Sequence, residues 1–598
     1  MIIDMIKKTK ILCILDGFGL SPKSENNCAA LAKMPTMRYL MQTYPMTTLR
    51  ADGVDVGQEN GLVGNSEVGH INIGGLKLIP QLSFQITNSA KNNYNLDKII
   101  SPDQLFDPKI FLKSILKTKK RKSIHLIGLF SKATVHSDMR HLIACIESAK
   151  DFEKIVLHII SDGRDTEKSN LVSDWQYFTD EYSGVLNPLC NKIFLGSIGG
   201  RYFGMDRDHN LDRIQKAIGS FRKMQLNLKV KYQDITKILQ RITKESYEKG
   251  VFDENIAPIG FDSNIENSDV IWLFNYRTDR MKQLLQELVK INTFENLNLI
   301  ILTNNDYQPE MYKAREWNTL EIIEKNPGID GVLDKKNQTA ITYFPIFKSK
   351  PVQKTLSTFI SKAGKTQLHI AETEKYNHVT FFLNGGQNTK SKNEDWHLIN
   401  SNKIANHAHK PEMKAKEITD HMLDHGIGFY DFIIINYANP DMLGHTGDIH
   451  AAISSMSFLD TQLARIVEKI ENGAGHEMII IADHGNIEKT GKWLDTENCR
   501  ILTDTEHNPN PVPCIIVSPA GSEIITRITE KIQLINESAD RFDWGENEIN
   551  QIKQITTQFK VHDYKNLSSP NNWLTNENIP IPELQLWVAG VLLLGLGD

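Results

Sequence analysis

The sequence predicts an α/β fold, and two observations predict it. Short apolar runs end abruptly in polar loops, most of them holding glycine, as buried parallel strands do. Helical stretches lie between the runs, Lys414–His425 and Ala451–Glu471 among them, and strands alternating with helices mark this class. In chain order, Ile11–Leu15 runs into Asp16-Gly17-Phe18-Gly19, and Ile124–Phe130 into Ser131 and His136. Ile155–Ile160 runs into Ser161-Asp162-Gly163-Arg164-Asp165, and Phe432–Ile435 into Asn436-Tyr437-Ala438-Asn439-Pro440-Asp441. Met478–Ala482 runs into Asp483-His484-Gly485-Asn486. In open sheets of this class, ligands sit beyond the carboxyl ends of the strands. The residues that can do chemistry fall there repeatedly.

Composition narrows the class of function. The 598 residues are 40% hydrophobic and 24% charged, with a net charge of −5, which excludes a disordered, collagenous or small disulfide-rich protein. Near-neutral charge argues against a dedicated nucleic-acid binder. None of the six cysteines forms a CxxC pair, so a zinc ribbon or thioredoxin-like site is not expected, and a reducing compartment is. Asp4 interrupts the start, so no secretory signal is read there. The apolar run Leu586–Gly597 is too short for a bilayer and reads as a buried terminal element. The basic run Lys117–Lys122 reads as a solvated helix end. The expectation is a cytoplasmic protein with neither membrane nor nucleic-acid partner.

Three aspartates and three histidines stand at strand ends or in stiff segments. Asp16 ends the first strand, and Asp483-His484 follows a later one. Asp441 and His445 lie four apart, where proline and glycines suggest a structured loop rather than a helix. His507 precedes the extended segment Asn508-Pro509-Asn510-Pro511-Val512-Pro513. A lone Asp-Gly is usually a turn, but the joint occurrence is hard to obtain by accident. Mixed carboxylate and imidazole donors suit Mn²⁺, Zn²⁺, Co²⁺ or iron, and six or seven of them suit a pair of ions.

Ser66 lies in the glycine-rich Asn60-Gly61-Leu62-Val63-Gly64-Asn65-Ser66-Glu67-Val68-Gly69-His70. A serine needs a base or a metal to become nucleophilic. The segment is not a G-x-S-x-G elbow, which points to metal activation rather than a Ser-His-Asp triad. Arginine recurs in polar loops as Arg164, Arg201, Arg207, Arg277 and Arg280. Arginine grips phosphate and carboxylate bidentately, so the set suggests a small, strongly anionic substrate. His136 adds a hydrogen bond or a proton transfer.

These segments together resemble the cofactor-independent (2,3-bisphosphoglycerate-independent) phosphoglycerate mutases of the alkaline phosphatase superfamily. The resemblance rests on LDGFG, NGLVGNSEVGHINIG, VHSD, SDGRDT, GRYFGMDRD, NYRTDR, IAETEKYNHVTFFLNGG, NYANPDMLGHTGD, IADHGN and HNPNPVP, in the family's order, over roughly residues 10 to 520. It implies two α/β domains: an alkaline-phosphatase-like metal-binding domain from residues 1–82 and 341–598, with a transferase domain of residues 83–340 inserted. It implies two Mn²⁺, with Mg²⁺, Co²⁺ or Zn²⁺ as substitutes, and no 2,3-bisphosphoglycerate. One ion would be held by Asp16, Ser66, Asp483 and His484, the other by Asp441, His445 and His507. His136, Arg164, Asp165, Arg201, Arg207, Arg277 and Arg280 would bind 2- or 3-phosphoglycerate, and Lys375 would bridge the phosphoryl group and the serine. Ser66 would carry the phosphoryl group while glycerate reorients, with Asp165 as the base for its hydroxyl and water excluded. A monomer is expected.

The sequence departs from the family pattern at Ser131-Lys132-Ala133-Thr134, where an Asp-Gly-Gly stretch is usual, and near Leu211, where an aromatic is usual. It departs again in the long segment Asp306–Gln338 and in the tail beyond about residue 520. The alternative reading is a metal-dependent phosphomonoester hydrolase or another sugar-phosphate mutase of the superfamily. The inserted arginine segments and Lys375 argue against it. An inactive metal-binding protein is disfavoured because every candidate ligand is present.

Overall fold

The computed structural model describes residues 7–90 apart from 22–25, residues 123–303 apart from 207–209, 223–224, 264, 267–268, 278–279 and 290–295, and residues 330–519 apart from 335–338, 348–350, 473–474 and 496–499, together with Leu112 and Leu116. Arg207, Lys117–Lys122, Leu586–Gly597, the tail beyond residue 520 and most of Asp306–Gln338 therefore lie outside the described residues. Contacts divide the chain into two units, Met1–Gln81 with Pro351–Asp598, and Leu82–Lys350.

The first unit is built on a seven-stranded sheet in the order Glu394–Ile399, Gln367–Glu372, Phe432–Tyr437, Lys10–Leu15, Glu477–Ile481, Val512–Val517, Met46–Leu49. Lys10–Leu15 sits at its centre, parallel to both neighbours, with Cys13 opposite Ile435 on one side and Ile480 on the other. Five of its six residues are fully buried, which is why the sequence there is an unbroken apolar run rather than an alternating one. Three adjacent parallel strands end at the same edge of a sheet. The residues just beyond them, Asp16, Ala438–Asp441 and Asp483-His484, are brought together by that topology alone. Val512–Val517 and Met46–Leu49 run antiparallel at one edge.

Helix Ile449–Glu471 packs on this sheet. Asp448 caps it by accepting from Ala451 N at 3.0 Å. Its buried residues Ala452, Met456, Leu459, Leu463, Ile466 and Ile470 recur at helical spacing. One expectation is corrected here: Asn439–Gly444 is a short α-helix, not a loop. Pro440 stands in its first turn, where a missing N–H costs nothing, and His445 N donates to Asp441 O at 3.0 Å. The i, i+4 spacing of Asp441 and His445 therefore does put both on one face.

The second unit carries a sheet in the order Asp330–Asp334, Thr339–Phe347, Asn296–Thr303, Val270–Leu273, Ser123–Phe130, Lys154–Ser161, Ile193–Gly200, Val230–Lys231, with Ile259–Gly260 also paired to Ile193–Gly200. From Thr339–Phe347 to Ile193–Gly200 the pairings are parallel. Ser123–Phe130 alternates faces: Ile124, Leu126 and Phe130 enter one buried cluster, Ile127 and Leu129 another. A two-sided core explains the continuous apolar run. Among the described residues, no helix is long and apolar enough to cross a membrane.

Candidate active site

Ser66 opens helix Ser66–Gly75, whose N-cap Asn65 accepts from Val68 N at 3.0 Å. Gly69 lets this helix abut the next loop, since a Cβ there would lie 2.6 Å from Asp483 Cβ and 2.7 Å from Asp483 O. Ser66 Oγ thus reaches the strand ends, 2.9 Å from His484 Nε2 and 3.2 Å from Asp16 Oδ1. Lys375, on a short turn after Gln367–Glu372, donates to Ser66 Oγ at 2.7 Å and to Asp441 Oδ2 at 2.5 Å, and lies 2.6 Å from Asp16 Oδ1. All five side chains are buried.

Burial works against the charge on Lys375, but Asp16, Asp441 and Asp483 outweigh it and hold the ammonium charged far above its ordinary range. Burial alone would also raise the Asp483 carboxyl; His484, His70 and Lys375 reverse that and hold it ionised. Asp16 is pushed up by burial and by the neighbouring charge of Asp483. One ammonium is too little to neutralise three buried carboxylates, so the site calls for further positive charge.

The donors fit divalent ions. Asp441 Oδ1 lies 3.2 Å from His445 Nε2 and 3.2 Å from His507 Nε2, and the two nitrogens are 3.1 Å apart. Around an ion with ligands at about 2.1 Å, neighbouring donors stand about 3.0 Å apart in octahedral and about 3.4 Å in tetrahedral geometry. The other ring nitrogens are tied to carbonyls, His445 Nδ1 to Thr505 O at 2.6 Å and His507 Nδ1 to Gly64 O at 2.9 Å. Both Nδ1 atoms donate, so both Nε2 lone pairs aim at one point with a carboxylate oxygen. In the neighbouring group, His484 Nε2 lies 3.6 Å from both Asp16 Oδ1 and Asp483 Oδ2. Burial lowers His484 below its ordinary range, keeping it neutral and able to ligate.

In the second unit, Asp162 organises the loop after Lys154–Ser161. Its Oδ1 accepts from Arg164 N at 3.1 Å and Asp165 N at 3.0 Å, and its Oδ2 from Ser131 Oγ at 2.6 Å. Gly163 takes φ +75°, and a Cβ there would meet Glu254 N at 2.7 Å. Arg201, buried, donates from Nη1 to Asp162 Oδ1 at 2.7 Å and Asp165 Oδ2 at 2.5 Å. His136 Nε2 lies 3.8 Å from Asp165 Oδ2, and its carbonyl accepts from Tyr276 N and Arg277 N at 3.0 and 3.2 Å. His136, Asp165, Arg201 and Arg277 are therefore brought together. Arg164, half exposed, pairs with Glu254 at 2.6 Å, and Arg280 lies half-buried three residues beyond Arg277.

Residues 8–545 match the metalloenzyme superfamily. The 2,3-bisphosphoglycerate-independent phosphoglycerate mutase of Clostridioides difficile (strain 630) is 35% identical over 531 residues, covering 86% of this chain and 92% of that protein. The protein of the same name from Methanococcoides burtonii is 34% identical over 523 residues, with the same shares covered. This chain belongs to the 2,3-bisphosphoglycerate-independent phosphoglycerate mutases. A crystal structure titled for the Leishmania mexicana phosphoglycerate mutase at low cobalt concentration shares the fold, with a TM-score of 0.54 and 23% identity over 86% of this chain and 90% of that one.

For a member of this mutase family, three buried residues stand out that the sequence reading did not single out. His70 Nδ1 donates to Ser66 O at 2.8 Å and lies 3.2 Å from Asp483 Oδ2, and it forms a possible donor group with Asp16 and Asp483. Asn436 Nδ2 donates to Asp16 Oδ2 at 2.8 Å. Asp162 anchors Arg201 as above. His70 and Asp162 sit inside the quoted motifs GNSEVGH and SDGRDT, so the signal was present without a role attached to it. At the atypical Ser131–Thr134 stretch, Thr134 adopts φ +55° and its carbonyl accepts from the Tyr276 hydroxyl.

Proposed function

We propose that the chain interconverts 2-phosphoglycerate and 3-phosphoglycerate through a phosphoserine on Ser66, without 2,3-bisphosphoglycerate. The observation that carries this reading is Lys375 Nζ, 2.7 Å from Ser66 Oγ and wedged between two carboxylates. An ammonium donating to Oγ favours the alkoxide, so Ser66 is the nucleophile toward phosphorus. The same ammonium stabilises charge on the phosphoryl oxygens in transfer. Asp16, Ser66, Asp483 and His484 would hold one Mn²⁺, and Asp441, His445 and His507 another, supplying Lewis-acid stabilisation of the serine and phosphoryl oxygens. Mg²⁺, Co²⁺ or Zn²⁺ would substitute.

Arg164, Arg201, Arg207, Arg277, Arg280 and His136 retain the glycerate, and Asp165 accepts the proton of the hydroxyl that takes the phosphoryl group back. In this reading the first unit is the phosphatase-like domain and Leu82–Lys350 the inserted transferase domain. The chain would act as a cytoplasmic monomer.

The test is an assay of 3-phosphoglycerate with Mn²⁺ and no 2,3-bisphosphoglycerate, following 2-phosphoglycerate and free phosphate together. Rapid 2-phosphoglycerate with little phosphate is expected, lost in Ser66→Ala. Phosphate without 2-phosphoglycerate would make the chain a phosphomonoester hydrolase. Substantial mutase turnover by Ser66→Ala would refute the serine intermediate.

A further inference from the structure

Glu488 is buried, four residues beyond His484, and ligates nothing in the arrangement above. Its Oε2 accepts from Gly19 N at 2.9 Å and Asn486 N at 3.0 Å, and its Oε1 from Asn510 Nδ2 at 3.0 Å. These three donors come from three different loops. Gly19 follows Asp16; Asn486 follows Asp483-His484; Asn510 follows His507. Four of the six Asp and His candidate ligands therefore sit on loops that converge on one carboxylate.

The fit is close on every side. A Cβ on Gly19 would collide with the Glu488 carboxylate, and one on Gly485 would lie 2.5 Å from its Oε1. The same loops are cross-tied by backbone bonds: Ile487 N donates to Gly17 O at 3.0 Å, Leu20 N to Pro511 O at 2.8 Å, and Asn508 N to Gly485 O at 3.1 Å. Asn486, held through its N–H by Glu488, donates from Nδ2 to Asp441 Oδ1 at 2.8 Å. A fifth ligand, Asp441, is thus reached through one intermediate. A carboxylate that accepts several N–H bonds in a dry interior fixes its donors more firmly than an amide can.

We propose that Glu488 is a positioning residue that sets the three ligand loops against one another and so couples the two divalent-metal sites. Asp16, Asp483 and His484 belong to one site and His507 to the other, and Glu488 is bonded to the loops of both. This inference rests on the two-ion reading. Loosening the carboxylate weakens metal binding at both sites together, because partners behind the ligands commonly govern affinity by 10- to 100-fold.

The experiment is calorimetric titration of Mn²⁺ into the chelator-stripped full chain, wild type against Glu488→Gln and Asn510→Ala. Glutamine keeps the volume but sets its NH₂ against a donor in either orientation, Asn510 Nδ2 on one side or the Gly19 and Asn486 N–H groups on the other. The expected result is two equivalents bound by wild type and roughly 10- to 100-fold weaker binding by Glu488→Gln at both steps. The metal-free thermal midpoint should stay near that of wild type, with activity recovering in excess Mn²⁺. Asn510→Ala, which spares the Gly19 and Asn486 bonds, should weaken the His507 site more than the other. Unchanged Mn²⁺ affinity in both variants would overturn the inference while leaving the two-ion reading intact. A metal-free midpoint that falls as far as the loaded one would reduce Glu488 to a structural residue. Fewer than two equivalents in wild type would sink the two-ion reading itself.

Discussion

At the scale of single residues, the cost of an unusual conformation can be read beside its use. Thr134 is β-branched and sits at φ +55°, a region that costs an L-residue about 1–2 kcal/mol. Glycine removes that strain but loses about 0.4–1 kcal/mol through the unfolded chain. Thr134→Gly is therefore expected to stabilise the second unit by about 0.5–1 kcal/mol in urea denaturation, and a loss of stability would show that the threonine side chain makes a contact worth more than its strain. Lys375 is the opposite case, a charge that its surroundings require. Its removal in Lys375→Met leaves Asp16, Asp441 and Asp483 buried together without their cation. Breaking a buried pair costs about 3–5 kcal/mol. The metal-free variant should lose that much, and Mn²⁺ should offset more of the loss than it adds to wild type. Equal Mn²⁺ stabilisation of both proteins would contradict the placement of the ions beside these carboxylates.

At the scale of elements, a helix end shows how one element completes another. Helix Pro35–Thr43 begins at Met34, which offers no side-chain cap. Asp460, inside helix Ile449–Glu471, supplies it instead, accepting from Thr36 N at 2.9 Å and Met37 N at 2.8 Å. Two orphan donors are satisfied by one buried carboxylate at a helix N-terminus. Asp460→Ala should cost about 2 kcal/mol, and Asp460→Asn less, because one oxygen still accepts; equal costs in denaturant melts would mean that the second acceptor contributes nothing. The same logic explains what was legible in the sequence. Strands Lys10–Leu15 and Ser123–Phe130 were legible because burial on both faces leaves a continuous apolar run. Helix Asn439–Gly444 was not, because a proline in a first turn and a glycine at a last one look the same as a loop. The Asp and His candidates were legible from residue type at strand ends and in stiff segments, and Ser66 from its glycine-rich segment. Glu488 was not, since its role depends on Gly19, 469 positions away. Asp162 was missed for the same reason, its partner Arg201 lying 39 positions on.

At the scale of the whole molecule, the two units hold separate cores. One buried cluster is drawn from the first unit, and the other two come from the second. Separate cores lead us to expect two thermal transitions. On the proposed two-ion reading Mn²⁺ would bind folded ligands of the first unit, so it should raise one transition in proportion to the logarithm of its concentration and leave the other in place. The second unit has a buried histidine cluster of its own, distinct from the candidate metal ligands. His125 Nδ1 meets His158 Nε2 at 2.9 Å, His158 Nδ1 meets Ser197 Oγ at 2.8 Å, and His125 Nε2 faces Asp269 at 3.1 Å. Burial pushes His158 well below the ordinary histidine value, helped by His125 and Lys154, and lowers His125 although Asp269 opposes it. Burial likewise lowers His141, bonded to Thr87 Oγ1, to about 4 against the pull of Asp138. Each of these groups is neutral in the folded chain at a pH where the unfolded chain already binds its proton. As pH falls below about 6.5, the unfolded state gains protons that the folded state refuses, and stability drops by up to about 1.4 kcal/mol per pH unit per group. For His141 the loss ends near pH 4, where its folded form also titrates. In chelator, between pH 7 and 5, the Mn²⁺-insensitive transition should therefore fall steeply, and His141→Gln should make its pH slope shallower by about one group's worth. A slope unchanged by that substitution would mean that His141 takes up its proton in the folded chain, and a single transition responding to both Mn²⁺ and His141→Gln would mean that the two cores melt as one.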